Sequence, residues 1–531
     1  MDIPAGHGTS DGSRRGDLGT SGPVSEAQPY RRDFRPEYQF SQFCRLANTP
    51  WYRLSDYEFD GQDEEDDDGD DCDDKSDNEK SNEDDGLVEE FMQNPLSFSQ
   101  SEDQVTLLLS FCPEKTRQEL EHGSLAALSE KVCLFDDRSS DGTRWQTRTC
   151  LRPLTVLELW SELSKERFIP DDPPLISSNS DAGNNHPSNT QQRISADRRL
   201  IFVTNLNRWG VMALITTASR IEADALRGSL YRHLSFQTYI GVCLNASMGF
   251  PFLRFAFDLP FFVWRATRPS QKPYDVRENR HGQSLRAIKD LSFLKRQEST
   301  TNDSAGIDSV EVDYLCQAHI SIVISIIDNR RWTAYGFIDT YFRTNSEDSV
   351  EAYCSDQCNG PIKPDPLTKG SRDADKPVLD PRAYAWAVME ARIGQVNGEW
   401  QSVINTCPSN TASFSSIVSQ QCLTWIGATR KLLSDLTETI KPLIREWDSF
   451  DGTEFFPLDD VILTRIRFRI QGSFRELGKC LDKLESLQRR CECYADNIDL
   501  YMSGAGHQDA RRQTETTQSM HSLTNVMLYD H

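Results

Sequence analysis

Residues 320–342 read ISIVISIIDNRRWTAYGFIDTYF. Ile320 to Ile327 is an apolar, β-branched run of the kind that forms a buried strand. Asp328-Asn329-Arg330-Arg331 interrupts it, and Trp332 to Phe342 resumes an aromatic, β-branched pattern. Two such runs around four polar residues predict an antiparallel hairpin. Upstream, Arg199 to Leu206 (RLIFVTNL) is a second buried strand candidate, and Gly241 to Asn245 and Leu253 to Trp264 are two more. Between them, Ala218 to Leu234 places Ile221, Ala225, Leu226, Leu230 and Leu234 on one helical side. Strands interleaved with helices predict an α/β (α+β) central domain.

We place that domain at 88–380, with a linker at 169–197 rich in Pro, Ser, Asn and Asp. Within it, Leu107 to Phe111 is a short apolar run, and Leu154 to Phe168 (LTVLELWSELSKERF) reads as an amphipathic helix. Residues 346–380 read as a loop region, with Pro361, Pro364, Pro366 and Pro377. Residues 1–87 are expected to be mostly disordered. Their aromatics from Tyr30 to Tyr57 suggest one short docked segment. The acidic run DEEDDDGDDCDDKSDNEK, Asp63 to Lys80, repels itself too strongly to pack. It is not a calcium loop, because the position of the closing bidentate Glu falls on Lys75.

From Asp380 the pattern changes. Asp380-Pro381 is an N-cap followed by proline at the first helical position, and a helix is expected to about Val403. Ile426, Leu433, Leu436, Ile440, Leu443 and Trp447 then step by sevens, threes and fours. After Asp451-Gly452, mostly three- and four-residue steps carry Ile466, Ile470, Phe474, Leu477, Leu481, Leu484, Cys491, Tyr494, Ile498 and Tyr501. Residues 381–531 are thus expected to form a long-helix, coiled-coil-like stalk. The second stripe covers about 36 residues, roughly 54 Å of helix, so part of it should protrude from the α/β body. Two partners are expected together: the 426–447 helix folded back, and the same stripe on a neighbouring chain as a self-association face. Residues 503–531 are expected to start Gly-rich and end in a short helix that stops abruptly at MLYDH.

Composition narrows the function. The chain has 531 residues and a net charge of −24. Such acidity argues against sequence-independent nucleic-acid binding. No signal peptide opens the chain, no stretch reaches about 18 apolar residues, and fourteen cysteines follow no framework spacing. We therefore expect a reducing, cytoplasmic setting and no membrane span in the chain as written. Phosphate-binding glycine loops, GxSxG and HExxH are missing. The pairs Cys354 with Cys358 and Cys491 with Cys493 have no second pair at zinc spacing. No catalytic or cofactor-binding residue is assigned, and an enzyme is not expected. The metal candidates are two carboxylate pairs, Asp373 with Asp375 and Asp459 with Asp460, since carboxylates suit Mg²⁺. Their simpler roles are loop solvation for the first pair and helix N-capping for Asp459 and Asp460.

Taken together, five blocks resemble a known family. They are RRLIFVTNLNRWG from Arg198, ALRGSLYRHLSFQTYIGV from Ala225, DLPFFVWR from Asp258, RRWTAYGFIDTYF from Arg330, and DPLTKGSRDADKPVLDPRAYAWAV from Asp365. Their order and spacing, over roughly 145–528, resemble filamentous-fungal proteins described as CorA-like divalent-cation transporter proteins. The resemblance implies a cytosolic α/β domain, a helical stalk leading into two membrane helices, a Gly-Met-Asn pore motif, pentamers, and Mg²⁺ as the conducted and sensed ion. This chain holds no Gly-Met-Asn and ends at His531, where the first membrane helix should begin. The expectation is the cytosolic part of such a transporter, self-associating through its stalk, on the cytosolic face of a membrane if a longer product carries the spans. The alternative is a soluble interaction or scaffold protein that kept the fold and lost transport.

Overall fold

The computed structural model describes residues 38–53, 86–93, 102–113, 115–123, 128–140, 145–169, 195–247, 250–294, 311–343, 350, 363–378, 380–407, 420–450 and 461–529. The acidic run, the cysteines Cys354 and Cys358, and the carboxylates Asp459 and Asp460 lie outside them. In chain order the main elements are α1 (Tyr38–Asn48), α2 (Leu87–Met92), α3 (Glu102–Phe111), α4 (Lys115–His122), β1 (Lys131–Ser140), β2 (Trp145–Thr155) and α5 (Val156–Leu163). Next come β3 (Arg198–Thr204), α6 (Arg208–Thr217), α7 (Arg220–Ser235), β4 (Tyr239–Ser247), β5 (Phe250–Thr267), β6 (Ile288–Asp290), β7 (Val312–Ile326) and β8 (Trp332–Ile338). Three long helices close the chain: α8 (Pro381–Thr406), α9 (Gln420–Ser449) and α10 (Val461–Tyr529).

The strands form one sheet in the order β2-β1-β3-β8-β7-β5-β4, with β6 on β7 beside this path. Among the described residues only β3 and β8 run parallel. The expected hairpin is β7–β8, with Ile326 opposite Trp332. Because strand side chains alternate between faces, one sheet yields two cores. Leu200, Phe202, Ile320, Ile322, Ile324, Trp332 and Ala334 pack with α8, α9 and the first half of α10. Ile201, Val203, Val323, Tyr335 and Phe337 pack under α2 to α7. The result is a three-layer α/β/α body. Gly336, central in β8, admits the turn after Pro366, since a Cβ there would lie 2.2 Å from Leu367 Cδ2.

Several boundaries moved for local reasons. The helix expected over 154–168 is only Val156–Leu163, because Leu154 belongs to β2 and Thr155 caps the helix in a reciprocal box with Glu158. Arg167 and Phe168 follow as buried extended chain. The docked aromatic segment is α1, whose Phe43 packs on Phe168 at 5.1 Å, while Asn48 Oδ1 accepts the Arg167 and Phe168 amides at 2.9 Å. Asp380 caps α8 as expected, accepting the Arg382 amide at 2.9 Å.

Much of each heptad stripe is buried, while Trp447, Leu481, Tyr494 and Ile498 are half-buried. Leu433, Leu436, Ile440 and Leu443 of α9 and Ile466, Ile470, Phe474, Leu477 and Leu484 of α10 belong to the sheet's own core, and Ile426 is buried as well. Trp447 stacks on Phe474 at 4.6 Å, and Lys441 pairs with Glu485 at 2.8 Å. Later residues of α9 thus meet earlier ones of α10, so the two helices are antiparallel. α8 supplies a third wall, tied by Glu390–Arg469 at 2.8 Å. The helix expected only near the end of 503–531 covers the Gly-rich start as well: α10 runs 69 residues without interruption through Gly504 and Gly506, about 100 Å of helix.

Candidate functional site: a buried charge network and a projecting helix

Both faces of the sheet hold charges where an apolar interior is expected. On the α7 side, β5 contributes Asp258, β7 contributes His319 and Ser321, and Asp339 follows β8 directly. The β5–β6 connection runs alongside as an alternating ribbon. Tyr274 and Val276 face solvent at 55% and 74% exposure, while Asp275 and Arg277 between them point inward and are buried. Arg277 is paired with Asp275 at 2.7 Å and with Asp339 at 2.6 Å. Arg286 reaches the other Asp339 oxygen at 2.6 Å and also donates to the His233 carbonyl at 2.7 Å. Arg232 on α7 holds Asp258 at 2.6 Å.

Two histidines sit among these pairs. His233 and His319 lie edge to face, 5.1 Å between ring centres. His233 Nδ1 meets Ser321 Oγ at 3.0 Å, and its Nε2 lies 3.6 Å from Asp339 Oδ1, longer than a hydrogen bond. His319 Nε2 lies 3.9 Å from Asp258 Oδ1. Burial pushes His233 down to about 3, against the pull of Asp339, and pushes His319 down as well. Burial would raise the Asp339 carboxyl, but Arg277 and Arg286 outweigh it and hold it well below the ordinary range. With neutral histidines, Arg232, Arg277 and Arg286 balance Asp258, Asp275 and Asp339.

A second network ties the other end of the sheet. Asp136 and Asp137 on β1 face Arg198 and Arg199 on β3, at 2.6 and 2.9 Å. Arg198 continues to Asp365 at 3.2 Å, and the Tyr384 hydroxyl of α8 donates to the same carboxylate at 3.0 Å. Arg167 joins Glu222 at 3.0 Å and the carbonyls of Ala196, Asp197 and Trp332. It thereby clasps both ends of the linker to the sheet. Each of these charges meets an opposite partner and is buried, so the geometry is that of a clasp between distant segments.

Of the four metal candidates, Asp373 and Asp375 are described. Asp373 Oδ1 accepts the Asp375 amide at 3.0 Å, closing a turn. Asp375 lies 3.4 Å from Arg138 and 4.0 Å from Lys363. The first pair is therefore engaged in a turn and in ion pairs. The second pair, Asp459 and Asp460, falls outside the described residues, just before α10 begins at Val461. Among the described residues, no group of three or more His, Cys, Asp or Glu side chains is arranged to hold a metal ion. The sequence reading did not single out the networks. The signal that could have found them is an ionisable residue inside an apolar run: Asp258 in FAFDLPFF, His319 in AHISIVI. Such a residue must be paired where it is buried.

The other distinctive feature is the far half of α10. Among the described residues its last buried side chain is Cys491, 5% exposed. Leu500 is 72% exposed, and residues 511–520 are exposed throughout. Among the described residues no helix is long and apolar enough to cross a membrane. No protein-family model matches the chain, and no curated protein matches it. Among solved structures it is similar to the crystal structure of the ZntB cytoplasmic domain from Vibrio parahaemolyticus. The two share 9% identity with a TM-score of 0.27, over 59% of this chain and 93% of that one.

Proposed function

We propose that this chain is the cytoplasmic module of a CorA-like divalent-cation transport system: a rigid α/β/α body bearing a stalk through which copies associate. In this reading Mg²⁺ is the ion to which the module responds, and the chain carries no catalytic activity. The observation that carries the reading is the 69-residue α10. Its first half is welded into the body by Ile466, Ile470, Leu477 and Leu484, and residues 511–520 of its second half are exposed. A helix of that length held at one end transmits position between a folded domain and something distant. The order of the five sequence blocks supports the same assignment. Because Leu477 and Leu484 are spent on the intrachain core, the association face lies beyond Cys491.

Sedimentation velocity tests this. The full chain is compared with a chain stopped after Cys493, each with and without millimolar Mg²⁺. The expected result is a discrete oligomer for the full chain, changed in size or stability by Mg²⁺, and a folded monomer for the shortened one. A full chain that stays monomeric at high micromolar concentration and ignores Mg²⁺ would favour the soluble scaffold reading instead. A transcript reading on from residue 531 into two apolar segments with Gly-Met-Asn would extend the module to a transporter.

A further inference from the structure

The two ends of the sheet differ in a way the stalk does not account for. β2, at one end, is guarded as sheet edges usually are. Its eleven residues include Arg148, Arg152 and Pro153, and its pairing with β1 is broken by irregular register. β4, at the other end, is not guarded. Its nine residues, YIGVCLNAS, contain no charge and no proline, and they pair with β5 in unbroken register from Tyr239 to Ser247. Among the described residues no strand flanks its outer side. Ile240 and Val242 belong to the apolar face shared with α8 and α9, and Leu244 continues that side of the strand while 59% exposed. A long, regular, uncharged edge carrying an exposed leucine is a template for another strand.

We propose that β4 pairs antiparallel with β4 of a second copy of this chain, joining two sheets edge to edge. The strand's own pattern selects that occupant. In an antiparallel two-fold pairing centred on Val242, Ile240 lies opposite the partner's Leu244 on the apolar face, and Gly241 lies opposite Cys243 on the other. The central positions thus match apolar to apolar and small to small, and Tyr239 lies opposite Asn245 at the ends. No like charges meet, although the whole molecule carries −24. One strand pair buries less than the roughly 1,200 Å² of a stable interface, so the contact is a weak one, forming at about tens of micromolar. It is independent of the stalk and of the transport reading.

The test uses the full chain at low and high concentration, read by amide hydrogen exchange and sedimentation. Protection of the 239–247 amides should rise with concentration while that of β2 stays constant. Leu244→Lys should abolish that rise and halve the mass of the largest species, with the melting temperature unchanged, because the side chain is exposed. Thr147→Lys, on the guarded edge, should change nothing. If β4 amides are equally protected at every dilution, a segment of the same chain occupies the edge and the proposal is wrong. It is also wrong if protection stays low at all concentrations, or if Leu244→Lys associates like the parent chain.

Discussion

Asp339→Asn removes one charge and almost no volume, so it isolates what the carboxylate does. Asp339 is 1% exposed and takes Arg277 on one oxygen and Arg286 on the other, both at 2.6 Å, with the His319 amide at 2.9 Å. After the substitution Arg277 keeps Asp275. The Arg286 guanidinium keeps only the carbonyls of His233 and Leu234, and becomes a buried charge with no direct counter-ion, although the Arg286 amide still donates to Asp275. Removing one partner of a buried pair costs about 3–5 kcal/mol, mostly because the survivor is left uncompensated. That is a large share of a typical total stability of about 5–15 kcal/mol.

The measurement is the denaturant midpoint by circular dichroism, beside the exposed i,i+4 pair Arg511–Glu515 as a reference. Arg511→Ala should change stability by about half a kcal/mol at most. The double variant Asp339→Asn with Arg286→Met should recover much of the loss, since it removes the stranded charge together with its partner. A loss below about 1 kcal/mol for Asp339→Asn alone would show that the network is hydrated, and the desolvation argument would fail.

Two further outcomes follow from the same interior. His233 is held neutral by burial, down to about 3 against an ordinary value of 6.5. A depressed folded value means the stability is complete above the unfolded value and is lost as pH falls from about 6.5 towards 3, at about 1.4 kcal/mol per pH unit per proton. His233→Gln should flatten that slope; an unchanged slope between pH 6.5 and 4 would mean His233 does not report it. For the thiols, Cys493 is exposed whereas Cys316 is buried and pushed up to about 12. Alkylation at pH 8 followed by peptide mass mapping should label Cys493 well before Cys316 in the native chain, and label both alike in denaturant.

What the sequence disclosed follows from how each element is solvated. β7, β8 and β3 were legible because burial on both faces demands unbroken β-branched and aromatic runs. α7, α9 and the first half of α10 were legible because each buries one stripe. α6 was not, since seven of its ten residues are buried and RWGVMALITT keeps no polar face to reveal a helical period. β1 was hidden by its own chemistry. Asp136, Asp137 and Arg138 look like a turn, yet all three are at most 2% exposed because β3 brings arginines to them. Those partners lie 62 residues away, and Asp365 lies 167 residues from Arg198. Pairings of that range depend on the finished sheet order, which no local period encodes. The glycines misled in the opposite sense. Gly504 and Gly506 disfavour a helix, at about 1 kcal/mol each against alanine, but α10 carries through them. The networks explain why so many charged residues could enter strands without weakening the body. Each charge entered opposite its counter-charge, so the sheet holds its distant segments by ion pairs and leaves its apolar stripes to anchor the three long helices.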